Sequence, residues 1–186
     1  LYFYEMPNAI LDGIIIKENV TNGDGGGLYF YNYSPDIKNG LIHNNLAQRG
    51  AGIANYNSTD DDRNFNICNT TIVNNQSSIE GGGILISSFN LNLINSIVTG
   101  NSPQQIATSN TSVNNIAFSV IEDGEDGISS SDGNEINWLN GNIDVDPLFE
   151  DTANGDYHLQ DISNLIGAGI ESLEIDETWY HAPDTD

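Results

Sequence analysis

Reactive chemistry in this chain has to come from few side chains. The basic ones are Lys17, Lys38, Arg49 and Arg63, set against 27 acids. Lys17 and His43 fall at the same offset of a repeat described below, so stacked rungs would make them neighbours. With Lys38 and Arg49 they supply what is needed to hold a uronate carboxylate and take the proton alpha to it, with a cation as partner. Four basic residues are a thin supply for an acidic substrate, and the plain reading is solvated side chains. Asp60, Asp61, Asp62, Glu80, Glu122 and Asp123 offer carboxylates for inverting glycoside hydrolysis, which needs two of them on opposite sides of a sugar. No spacing singles out a pair, and the DDD run at 60–62 reads as a loop tip.

Two binding chemistries fit better. EDGEDG (122–127), SSDGNE (130–135) and NIDVDPLFED (142–151) concentrate carboxylates and turn carbonyls, with Asp123, Asp126, Asp144 and Asp146 as the expected ligands. Calcium takes about six to eight oxygens from such loops. None of the three matches the twelve-residue calcium loop pattern, so diffuse acidity suited to a salty habitat is the competing reading. Tyr29, Tyr31, Tyr33 and Tyr56 follow glycine turns. On an alternating strand Tyr29 and Tyr31 share one face and Leu28 and Phe30 the other, so the tyrosines are expected outward, available to a glycan. Ordinary strand composition is the alternative.

The elements that must place these residues are visible as a repeat. Taking the Asn after each aliphatic run as a marker gives Asn19, Asn45, Asn75 and Asn101, at spacings of 26, 30 and 26, with Gly124 23 further on. Three positions before each marker lie Ile16, Ile42, Ile72, Val98 and Ile121; eight before lie Leu11, Ile37, Ile67, Leu93 and Ile116. Six before, Asn39, Asn69 and Asn95 form a polar column, departing to Gly13 and Phe118 at the ends. After the marker come GGGLYF, GAGIANY and GGGILI; the fourth copy, QQIATS, has lost its glycines. Units this small cannot bury their own apolar face and must stack. Short β-branched and aromatic runs with glycine corners predict a right-handed parallel β-helix of about five coils over 1–125, the Asn columns stacking at its corners. NYSPDIKNG (32–40) and YNSTDDDRN (56–64) are expected as loops on one side. A leucine-rich repeat would need helical segments and its own leucine spacing, and a propeller longer blades.

Composition agrees with an ordered, turn-rich β chain: 186 residues, 38% hydrophobic, 19 glycines. A net charge of −23 excludes a nucleic-acid partner, which demands clustered Lys and Arg. There is no run of apolar residues long enough for a membrane span. The single cysteine, Cys68, permits no internal disulfide and reads as a buried or strand-face residue. Six Asn-x-Ser/Thr sequons (at Asn19, Asn32, Asn57, Asn69, Asn75 and Asn110) fall partly on ladder positions and are discounted. The opening LYFYEMPNAILDG reads as the interior of a fold, so further coils are expected upstream. Residues 126–186 lose the repeat, and residues 122–186 carry 18 acids without Lys or Arg. Trp138, Leu139, Leu148, Phe149, Tyr157, Leu159, Leu165 and Ile166 are expected to cover the last coil as an acidic cap.

IVNNQSSIEGGGILI (72–86) and LIHNNLAQRGAGI (41–53) resemble the I-x-x-N-x-A-x-x-G-G-G-I repeat of right-handed parallel β-helix proteins on bacterial surfaces. Within residues 142–169, Asp146–Phe149, Gly155–Leu159, Ala168 and Gly169 are similar to the segment closing such helices in secreted proteins of the Bacteroidetes type. The family's S-P-A-I-D-A-G is here SNLIGAG, without the Pro and the Asp. The resemblance implies an extracellular or cell-surface location and a structural or adhesive, glycan-contacting module. A polysaccharide lyase or glycoside hydrolase fragment and a unit of a filament are the alternatives.

Overall fold

The computed structural model describes residues 1–4, 9–33, 35–57, 63–131 and 133–182. The chain is all-β and winds as a parallel β-solenoid of about five turns, as the repeat predicts. Three stacked sheets form its walls. Sheet A joins Tyr2–Tyr4, Leu28–Tyr31, Ile53–Tyr56, Ile84–Ser87, Ile106–Ser109 and Ile128–Ser130. Sheet B joins Ile10–Asp12, Asp36–Lys38, Asn64–Cys68, Asn90–Ile94, Val113–Ala117 and Glu135–Trp138. Sheet C joins Ile15–Lys17, Leu41–His43, Thr71–Val73, Ile97–Thr99 and Val120–Ile121. A short fourth side pairs Leu46–Arg49 with Gln76–Glu80.

Alternation on each strand sends one apolar column inward from every wall. The two columns read in the sequence come from sheets B and C. A third, Leu28, Ile53, Ile84, Ile106 and Ile128, comes from sheet A, and the three meet in one continuous core. Asp36–Lys38 is a sheet B strand, so the expected loop at 32–40 shrinks to a corner. The DDD run lies outside the described residues.

The two kinds of Asn column do different work. The column six before the marker is a left-handed corner: Asn39, Asn69 and Asn95 have φ of 53°, 50° and 50°. Asn is the side-chain-bearing residue that tolerates that conformation best, and Gly13 takes the same corner at 64°. The marker column is the true ladder. Asn19 donates to Asn45 Oδ1 (2.9 Å), Asn45 to Asn75 (2.8 Å) and Asn75 to Asn101 (3.0 Å). Each backbone N–H in the column also donates to the next Oδ1.

Glycine is required beside this ladder. A Cβ on Gly27, Gly52 or Gly83 would sit 3.0–3.1 Å from the amide nitrogen of Asn45, Asn75 or Asn101, and nearer still to a backbone carbonyl of the next rung. The lost glycine of the fourth copy has a compensating partner. Its fifth-rung marker is Gly124, with no side chain, and Gln105 occupies the glycine position. Gln105 Oε1 accepts from the Asn101 N–H and Nδ2, and Gln105 Nε2 donates to Glu122. A second ladder runs along sheet B from Asp36 through Asn66, Asn92 and Asn115 to Asn137 at 2.8–3.0 Å.

The C-terminal third departs from expectation. Sheet B continues through Glu135–Trp138, and of the predicted cap residues Trp138 packs on the core. The rest forms a strap that runs back along the flank. Tyr157 lies against His43 and Asn74; Ile170 is clasped by Asn95 through two backbone bonds of 2.8 and 2.9 Å; Tyr180 sits between Asn66 and Asn92. The solenoid flank carries amides with hydrogen-bonding capacity left over for the strap, which an apolar end cannot offer.

Asn75→Ala is expected to lower stability by about 3 kcal/mol, because Asn45 and buried carbonyls lose partners. Asn55 points into the core with neither amide atom partnered among the described residues. Asn55→Leu is therefore expected to raise stability by about 1–2 kcal/mol. Urea unfolding followed by circular dichroism measures both, and a destabilised Asn55→Leu protein would contradict the second.

Candidate functional site

The outer face of sheet A gathers five tyrosines on three rungs. Tyr2 stacks on Tyr29 with centroids 5.0 Å apart and planes within 9°, and Tyr4 on Tyr31 at 5.8 Å and 8°. Tyr56 is in register with Tyr31, and its ring leans diagonally onto that of Tyr29 at 5.7 Å, tilted by 37°. Parallel in-register strands place identical residues one above another, which produces such columns. The stacking has a consequence for binding. The faces of Tyr29 are covered by its neighbours, so a ligand meets ring edges and hydroxyls there.

A charged edge borders the strip. Asp24, Arg49 and Glu80 are register partners on successive rungs. Arg49 lies 3.8 Å from Asp24 and 3.2 Å from Glu80. The Tyr56 hydroxyl donates to Asp24 Oδ2 at 2.9 Å. Burial first, then that bond to a carboxylate, holds the Tyr56 phenol far above its ordinary pKa. Tyr56 thus stays a protonated hydrogen-bond donor at the edge of the strip. The signal was present in the sequence: Asp24, Arg49 and Glu80 each immediately precede a glycine turn.

Tyr33 is separated from this group. It is 3% exposed, packs on Phe30 in the core, and its hydroxyl meets the Ala9 N–H, because the chain turns inward at the sheet A–B corner. That placement removes it from the expected glycan-facing set.

Lys17 and His43 are register partners, as the repeat predicted, but Arg49 lies on another side of the coil with the tyrosine strip. His43 is 3% exposed and covered by Tyr157, whose ring meets it edge-on at 4.9 Å. Burial, then the Lys17 charge, lowers the His43 pKa, opposed by Glu18. A buried, neutral imidazole beneath a strap is badly placed to take a proton from a polymer. Lys38 sits on sheet B beside Asp36 at 3.6 Å, apart from both.

Asp123 and Asp126 share one turn, next to Glu122, whose carboxylate accepts from Gly100 N–H and Gln105. Asp146 accepts from its own local backbone at Leu148. Among the described residues no three His, Cys, Asp or Glu side chains converge to hold a metal ion. Burial pushes the Cys68 thiol up to about 12, so it is not a nucleophile at neutral pH.

No family model, curated protein or solved structure matches this chain. Among the described residues no helix is long and apolar enough to cross a membrane.

Because the His43 pKa is depressed in the folded state, its contribution to stability is full above the ordinary histidine value of 6.5 and is lost as pH falls below it. The destabilisation of the wild type between pH 7.5 and 5 is expected to exceed that of His43→Phe, measured by urea midpoints at each pH. Equal losses in both proteins would remove His43 as the cause.

Proposed function

We propose that this chain is a non-enzymatic, extracellular or cell-surface β-solenoid module with a structural and adhesive role, contacting neutral glycans through the outer face of sheet A. The observation that carries the reading is the pair of tyrosine columns bordered by Asp24, Arg49 and Glu80. Hydroxyls and ring edges repeated at the spacing of parallel strands, about 4.8 Å, form a regular strip suited to an extended, hydroxyl-rich chain. The charge of −23 favours a neutral glycan over a uronate polymer. The surface location and the Bacteroidetes-type relationship draw support from the repeat and tail resemblance. Stiffness follows from the continuous core and ladders, which leave each rung bonded to its neighbours.

The test is retention on insoluble cellulose, chitin and xylan. The protein is expected to be held by at least one of them, and Tyr29→Ala/Tyr31→Ala to bind about tenfold less with unchanged circular dichroism. No retention on any, or equal retention by the double variant, would count against the tyrosine strip. Unsaturated uronate released from alginate or pectate, and lost in Lys17→Ala, would replace the module reading with a lyase.

A further inference from the structure

A pocket that the repeat does not foretell lies where the antiparallel hairpin of Ser172–Ile175 and Thr178–His181 meets sheet B. It encloses about 160 Å³ and is lined by Asp36, Lys38, Asn66, Trp179, Tyr180 and His181, with Cys68 and Thr178. Tyr180 anchors the hairpin. It is buried, and its hydroxyl donates to Asn66 Oδ1 at 3.0 Å and accepts from Asn92 at 2.9 Å. Trp179 and His181 flank Tyr180 along the strand and line the same pocket. Their rings stack at 6.3 Å, 14° from parallel, while Trp179 stays 57% exposed.

Packing of the hairpin is carried by Leu173, Ile175 and Tyr180 against Cys68 and Ile94, and does not use Trp179. A large aromatic left exposed and held in one orientation by a neighbour is an unspent stacking surface. Beside it, Asp36 and Lys38 are paired at 3.6 Å, and Asn66 donates to Asp36 Oδ1 at 2.8 Å. The second carboxylate oxygen, Oδ2, faces the Lys38 ammonium at 3.6 Å, beyond direct hydrogen-bond length, so both groups keep hydrogen-bonding capacity for another group. An acceptor and a donor side by side suit vicinal hydroxyls, each of which both gives and takes a hydrogen bond. The pair discriminates among ligand classes. Asp36 opposes an anion, and Lys38 opposes the cation that an aromatic and a carboxylate would otherwise attract. What remains is a neutral ring with one apolar face and adjacent hydroxyls.

We propose that this pocket binds a single neutral pyranose unit, with Trp179 as its stacking wall and Asp36 and Lys38 as its hydroxyl partners. The site is separate from the tyrosine strip and stands or falls independently of it. Its ladder residues also explain how it is held: Asp36 terminates the sheet B amide ladder, so its carboxylate is oriented by the solenoid itself.

The experiment titrates the whole chain, carrying Trp138→Phe so that Trp179 is the single tryptophan and is excited selectively over the tyrosines, with the methyl glycosides of xylose, glucose, galactose and N-acetylglucosamine. A saturable change in Trp179 emission is expected, with a dissociation constant on the order of 1–10 mM. Lys38→Met is expected to weaken it about tenfold, and Tyr29→Ala/Tyr31→Ala to leave it unchanged. Should Trp138→Phe unfold, saturation-transfer NMR on the unsubstituted chain reads the same binding. No saturable response to any glycoside, an undiminished response in Lys38→Met, or a response to choline chloride in place of the sugars would overturn the assignment.

Discussion

Every rung of this protein depends on hydrogen bonds made to the rung beside it. A parallel solenoid has tight corners, and corners bring backbone N–H groups and carbonyls into the interior where no strand partner meets them. The Asn19–Asn45–Asn75–Asn101 ladder answers that problem by donating to carbonyls on its own and the preceding rung and to the next rung's Oδ1, while each Oδ1 accepts from the preceding rung. The neighbouring glycines follow from it, because a side chain there would strike the amide nitrogens. The left-handed Asn corners follow too, since they bend sheet B into sheet C in time for the ladder to close.

The same constraint shapes the functional surfaces. Register imposed by the ladders puts tyrosine over tyrosine on sheet A and lines up Asp24, Arg49 and Glu80 at its edge. It also puts Lys17 beside His43, but there the strap covers His43 and leaves Lys17 exposed alone. The strap is held by amide groups that the solenoid leaves available on its flank: Asn74, Asn95, Asn66 and Asn92. Covering sheet C while leaving sheet A open is what separates a plausible contact face from a sequestered one. An acidic chain of this charge gains solubility from the same carboxylates that keep anionic polymers away.

Three assignments changed between sequence and structure, each for a definite reason. Tyr33 follows the same alternation as Tyr29 and Tyr31 on paper, but the strand ends at Tyr31 and the corner swings Tyr33 into the core. The tail was expected over the last coil because its apolar residues suggested a lid; it instead meets paired and half-paired amides along the side. The missing glycines of QQIATS looked like decay of the repeat, whereas Gln105 fills the slot that Gly124 vacates.

The amino-acid sequence by itself determined the solenoid, the inward aliphatic columns and the outward position of Tyr29 and Tyr31, because period and alternation are local properties that every rung repeats. It also placed Lys17 next to His43, since equal offsets on stacked rungs mean contact. The path of the strap, the burial of His43, the pairing of Gln105 with Asn101 and the Trp179 pocket were decided only in three dimensions. Each joins residues from segments with no shared period, and long-range complementarity of that kind leaves no spacing to read.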